Sequence, residues 1–162
     1  MNLSLCCISE ELAEKGVSFQ TMTLKRFFSL DRKEAERVLS ERILNNFIVN
    51  RETIRFCHSR GIAGYRMSSS LTPLVSHPDV NLKLSDLKDW NQISSILQQT
   101  AQEIKQFKIR ISAHPSEYIT LTSENPAAIQ NSVTDLIGHA EIFDLLGLEQ
   151  SFFNPLNIHC RQ

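Results

Sequence analysis

The chain has no cysteine pair at CxxC spacing: Cys6 and Cys7 are adjacent, while Cys57 and Cys160 stand apart. That pattern argues against a disulfide framework or a zinc knot. Adjacent residues on a strand point to opposite faces, so reduced, buried thiols are the expectation. Long hydrophobic runs are missing as well. No stretch approaches the ~18 apolar residues that would span a membrane. The opening MNLSLCCISEEL has no basic segment before its short apolar run, unlike a secretory leader, and a cytoplasmic protein is expected. An excess of positive charge is also absent: 17 Lys plus Arg stand against 18 Asp plus Glu, a formal net charge of -1. No bulk positive field advertises a nucleic acid, so any phosphate-binding surface has to be local. No internal repeat or low-complexity segment interrupts the chain.

What is present is ordinary globular composition, with 41% hydrophobic and 22% charged residues over 162 positions, enough for one compact domain. LSLCCI reads as a short strand, and GVSFQTMTL as a loop or partial strand. Asp31 with Glu34 fits a capping box, and Leu39, Ile43 and Phe47, with Leu44 and Ile48 beside them, form a helical stripe running to about Arg60, where Gly61 stops it. IAGYRMSSS reads as a second strand and LTPLVSHPDV as a loop with two Pro-marked turns. Ser85 is a candidate cap for a second long helix, whose apolar series is Leu87, Trp90, Ile93, Leu97, Ile104 and Phe107.

The stretch IRISAHPSEY follows. Residues 109 to 113 alternate as a strand does, and Pro115, which cannot donate to a ladder, takes the chain out of the sheet. His114 therefore sits at a strand tip. Pro126 suits a first helical position, the series Ile129, Val133, Leu136, Ile137, Ala140 and Phe143 continues that helix, and Gly147 ends it. Leu156 to His159 begin a fourth strand. Alternating strands and helices predict βα units feeding a parallel sheet, doubly wound or barrel-like. Four strands are half of a closed (β/α)8 barrel of about 250 residues, so the expected fold is α/β, the N-terminal half of a TIM-type barrel, with residues 1–162 as a single partial domain.

Position then sorts the histidines. His77 lies in the loop after the second strand, and His114 and His159 at the tips of the third and fourth, all on the side where α/β sheets place their chemistry. Imidazole suits Zn, Mn, Fe or Cu, and a hydrolytic metal site also needs carboxylates, which the spacing does not reveal. A lone His-Pro is common in turns, so the inference rests on the three together. His58, near a helix end, complements the helix dipole, and His139 belongs to a helix–sheet or solvent boundary. Tyr118 could stack on a base and Glu117 accept hydrogen bonds, though a Tyr packing its own loop is the plainer reading. Arg66 and Ser68 to Ser70 could donate to phosphate oxygens or simply cap loop backbone.

LSLCCISEEL, GYRMSSSLTPLVSHP, IRISAHPSEYITLTSENPAAIQNSVTDLIGHAEIFDLLGL and LNIH, in that order, closely resemble the N-terminal half of the UV damage endonuclease family. The resemblance covers nearly the whole chain. It implies a TIM-barrel, metal-dependent nuclease related in fold to the endonuclease IV group, cutting damaged double-stranded DNA 5′ to UV photoproducts. By the same resemblance His77, His114 and His159 match positions that bind a divalent, manganese-type cluster, and Glu117 with Tyr118 match the pair that probes the lesion. The family's carboxylates and further His ligands lie in its C-terminal half, so the resemblance implies inactivity of this chain alone, with a C-terminal half-barrel chain or self-association completing it. Two other readings stand: a sugar-isomerase-like TIM-barrel metalloenzyme, and a non-catalytic fragment that binds DNA or completes a partner.

Overall fold

The computed structural model describes residues 3–116 and 119–158. Within them the order is β1 (Ser4–Cys6), α1 (Glu10–Glu14), α2 (Leu24–Phe28), α3 (Arg32–Ser59), β2 (Gly64–Met67), α4 (Trp90–Phe107), β3 (Arg110–Ala113) and α5 (Pro126–Leu145), with short 3-10 turns at Ser69–Leu71 and Leu84–Asp86. The strands form one parallel sheet in the order β1-β2-β3. Leu5, Tyr65 and Ile111 lie in one cross-strand row, and Cys6, Arg66 and Ser112 in the next. Because side chains alternate along a strand, the two rows face opposite ways. Leu5, Tyr65, Met67, Ile111 and Ala113 join the helix-covered core, whereas Ser4, Cys6 and Arg110 are exposed. Helices thus cover one face of a sheet whose other face is open.

The longest helix follows its sequence signals closely. Asp31 accepts a hydrogen bond from the Glu34 amide at 3.1 Å, although the Glu34 carboxylate pairs with Arg37 instead of closing a capping box. At the other end the Ile62 and Gly61 amides donate to the Cys57 and His58 carbonyls, with Gly61 at φ 65°, the left-handed stop that glycine provides without steric cost. Between these ends Leu39, Ile43, Phe47 and Ile54 are fully or almost fully buried and pack with Phe27 of α2, Tyr65 and Met67 of β2, and Ile93 and Leu97 of α4 in one core.

Between β1 and α3, residues 17–23 carry neither helix nor strand, the loop reading of GVSFQTMTL, and two short helices flank them, capped by Ser9, which accepts from the Leu12 amide, and by Thr23, which accepts from the Arg26 amide. Three expectations need correction. Residues 69–71 leave the sheet as a 3-10 turn capped by Ser68, so β2 ends at Met67. Ser85 does not cap α4, which starts at Trp90. The Asp86 carboxylate instead binds the Lys83 amide, and Asp89, at the cap position, accepts from the Ser40 hydroxyl at 2.8 Å while its own amide donates to that hydroxyl at 3.0 Å. Finally, α5 buries Ser132, His139, Ile142 and Phe143, while Val133 and Ile137 of the expected stripe are exposed. The fourth strand appears among the described residues as a single parallel bridge between Ala113 and Leu156.

Candidate active site

Parallel strands bring their C-terminal ends to one side of the sheet, where βα folds build their sites. His114 directly follows β3, and His77 stands in the long connection from β2 to α4. Beside β3, the Ala113 amide donates to the Pro155 carbonyl at 3.2 Å and the Asn157 amide to the Ala113 carbonyl at 2.9 Å. Residues 155–157 thus run as a parallel neighbour of β3. His159, Glu117 and Tyr118 themselves lie outside the described residues.

The two described histidines are held differently. His114 Nδ1 lies 2.8 Å from the Pro115 carbonyl oxygen. A carbonyl can only accept, so this ring nitrogen donates, and the acceptor lone pair of the neutral ring falls on Nε2. That division of roles is the usual one for a metal-binding imidazole. His77 Nδ1 accepts from the Asp79 amide at 3.2 Å, which assigns the neutral ring's proton to Nε2. The His77 carbonyl also accepts from the Val80 and Asn81 amides, fixing the backbone of this turn.

The loop bearing His77 rests on α5 through one buried polar contact: the Ser76 hydroxyl donates to Asp135 Oδ1 at 2.8 Å. Asp135 Oδ2 is buried and has no hydrogen-bond partner among the described residues. One turn further, His139 Nδ1 donates to the Asp135 carbonyl at 2.9 Å. His77, Ser76, Asp135, His139 and Glu141 line a cavity of about 270 Å³ between this loop and α5. His139, expected at a helix–sheet or solvent boundary, is buried at 8% exposure. Its signal was the i,i+4 spacing to Asp135, which places both on one helix face.

The remaining candidates take quieter roles. Ser68 caps the turn after β2 by accepting from the Ser70 amide, the backbone-capping role. Arg66 turns its guanidinium to the Cys6 sulfur. His58 lies in the last turn of α3, as the dipole argument expects, and its ring stacks on Phe107 of α4 at 3.9 Å between centroids.

Among the described residues no group of three or more His, Cys, Asp or Glu side chains is assembled to hold a metal ion. His77 and His114 supply imidazole nitrogens of the type that borderline divalent ions prefer. No helix among the described residues is long and apolar enough to cross a membrane.

Comparison with known proteins adds four findings. The family described as UV-endonuclease UvdE matches residues 1–161. A UV DNA damage endonuclease of Nostoc sp. strain PCC 7120 is 34% identical over 163 residues, covering 97% of this chain and 47% of the relative. One from Bacillus cereus strain B4264 is 33% identical over 145 residues, covering 86% and 42% respectively. The crystal structure of SacUVDE superposes with a TM-score of 0.76 at 26% identity, covering 98% of this chain and 49% of the other. The chain thus spans about half the length of these relatives, and its three-stranded parallel sheet with flanking helices is part of a (β/α) barrel.

Proposed function

Since the chain belongs to the UV-endonuclease UvdE family, we propose that it forms one half of a metal-dependent nuclease site that cuts damaged double-stranded DNA 5′ to UV photoproducts. The observation that carries this reading is the pair of histidines at the C-terminal side of the sheet, above all His114, whose Nδ1 contact to the Pro115 carbonyl leaves Nε2 as acceptor. In this reading His77, His114 and His159 hold a divalent ion, with manganese as the ion to test first, and His77 joins by releasing the Asp79 amide from Nδ1 or the proton from Nε2. When bound, that ion supplies an activated water and charge neutralisation at the scissile phosphate. The chain's own residues orient it: the Pro115 carbonyl fixes the His114 tautomer, and the Ser76–Asp135 contact anchors the His77 loop to α5.

Glu117 and Tyr118 probe the lesion, exploiting the lower cost of unstacking a damaged base. Carboxylate ligands come from the family's other half, so the chain by itself is inactive. Exposed apolar residues at the sheet's edges, including Leu3 at 62% and Phe152 at 79% exposure, support completion by a second polypeptide.

The test is a nicking assay on UV-irradiated duplex with manganese, using this chain alone and then with the C-terminal half of a related endonuclease. Cleavage 5′ to the lesion only in the mixture is expected, and it disappears with His114→Ala. A mixture shown to be folded and associated that fails to cut overturns the nuclease reading.

A further inference from the structure

Cys6 and Cys7 carry chemistry that the nuclease reading does not use. On a regular strand their side chains would diverge, but β1 ends at Cys6 and Cys7 has φ 61°. The Ile8 amide donates to the Cys6 carbonyl at 2.7 Å across it. A three-residue hydrogen-bonded turn around a positive-φ residue is a γ-turn, rare and strained for a side chain with a Cβ. Two contacts hold it in place. The Cys7 amide donates to the Arg66 carbonyl at 2.8 Å, and the buried Tyr65 hydroxyl donates to the Cys7 carbonyl at 3.3 Å.

The consequence of this turn is that the adjacent sulfurs lie 3.8 Å apart, with the Cys6 thiol directed at Cys7. Cys6 is exposed, Cys7 is half-buried and Cys57 is buried. The expectation of uniformly buried, diverging thiols therefore holds for Cys57 alone among the described cysteines. The Arg66 guanidinium donates to the Cys6 sulfur from the neighbouring strand and also acts on Cys7, whose thiol pKa burial raises and Arg66 lowers, burial being the larger influence. Cys6 is the exposed sulfur of the two, so an oxidant from solvent meets it first.

We propose that Cys6 and Cys7 form a hydroperoxide-sensitive dithiol that closes reversibly to a vicinal disulfide at the tip of β1. The Cys6 sulfur attacks one oxygen of a hydroperoxide, forming an S–O bond and breaking the O–O bond. The thiol proton leaves with the departing alkoxide or hydroxide as an alcohol or water. The Cys7 sulfur then attacks the Cys6 sulfenic acid, forming the S–S bond, and its proton leaves with the displaced hydroxide as water. Two thiols lose two electrons and the hydroperoxide gains them. A bridge between adjacent residues departs from the usual Cα separation of a disulfide, and such strained, exposed bridges are readily reduced. Closure requires the Cys6 sulfur to leave Arg66, so oxidation changes the charge environment of the open sheet face.

The experiment treats the full chain with a small excess of hydrogen peroxide, alkylates the remaining thiols, and maps them by mass spectrometry on the tryptic peptide ending at Lys15. The expected product lacks two hydrogens, carries no alkyl group at either cysteine, and regains both sites after dithiothreitol. Arg66→Met slows the first step several-fold. Cys7→Ser diverts Cys6 to sulfinic acid, and Cys6→Ser leaves Cys7 alkylatable at the same dose. If Cys6 in the unaltered chain passes to sulfinic acid, or bridges to Cys160 or another chain while Cys7 stays alkylatable, the proposal fails. The readout is thiol chemistry, so its outcome is independent of the nuclease assay.

Discussion

Asn46 shows how much one polar side chain can organise. It is fully buried on α3. Its Oδ1 accepts from the Gln20 amide at 2.7 Å, and its Nδ2 donates to the Gln20 carbonyl at 2.8 Å and the Ser70 carbonyl at 2.9 Å. The side chain thereby substitutes for strand pairing in two loops that have none. Replacing it with Ala leaves part-buried backbone groups of Gln20 and Ser70 and the buried Leu71 carbonyl without this partner, at a cost of about 1 to 3 kcal/mol. The expected result is a lower urea midpoint with an unchanged slope, which identifies a stability change. Asn46→Asp keeps the acceptor, loses the donors and adds a buried charge, so it should be no better. Nothing in ILNNFIVN distinguishes Asn46 from its neighbour Asn45 except position on the helix: Asn46 faces the core, whereas Asn45 is not buried. The γ-turn at Cys7 was hidden for a similar reason. A strand pattern carries no sign of the single residue at which the chain bends away.

At the scale of elements, α3 and α4 are joined at their outer edge by Glu103. Its carboxylate, only 14% exposed, meets Arg51 at 2.7 Å and Arg55 at 2.7 Å. Removal from water pulls the Glu103 pKa up, and the hydrogen bonds and charges of the two guanidiniums outweigh it, leaving the carboxyl below its ordinary range. A carboxyl whose pKa is depressed by folding stabilises the fold above its unfolded value, near 4.3, and that contribution is lost as pH falls through the folded value. Because the Arg55 side chain is 42% exposed, the contribution is discounted toward the surface-pair range, about 1 kcal/mol. Glu103→Gln should lower the urea midpoint at pH 7, and the gap from the unaltered chain should close near pH 3. A gap that persists unchanged in acid would mean that packing, not charge, is what the substitution disturbs.

The sequence showed α3 nearly to its ends because an Asp cap, a broad apolar stripe and a Gly stop agree. It misplaced the start of α4 because the cap is decided by Ser40, 49 residues away. It misread the face of α5 because that helix is apolar on more than one side, so periodicity could not choose between Ile137, exposed at 53%, and His139, at 8%. Of the candidate site, the positions of His77 and His114 beyond the strand ends were legible from strand order alone. The partner that anchors the His77 loop, Asp135, was not, because it is 59 residues from Ser76.

At the largest scale the described residues form a section of a barrel, and the open edges of that section follow from its geometry. Closure is what removes edges from a barrel sheet, and at β1 the outer side is unpaired among the described residues. The last described segment lies beside β3 through one bridge. Apolar side chains gather at both margins: Leu3 and Ile8 flank β1 at 62% and 61% exposure, and Phe152 and Phe153 precede the bridge at 79% and 55%. The two phenylalanines are presented by a turn whose carbonyls accept from the Arg110 guanidinium at 3.2 and 3.0 Å, so the turn is tied to the sheet while the rings face water. Burying one such ring yields about 2 kcal/mol, and each 1.4 kcal/mol is about tenfold in a dissociation constant. The isolated chain should therefore self-associate, with an average mass in sedimentation velocity that rises with concentration. Replacing Phe152 and Phe153 by Ser should weaken that association by about tenfold or more, since neither ring contributes to the folded core. A complementary C-terminal half-barrel should compete with self-association and return the sample to a one-to-one species. If the unaltered chain remains monomeric throughout the concentration series, these margins are not contact surfaces, and the case for completion by a second polypeptide loses its physical basis.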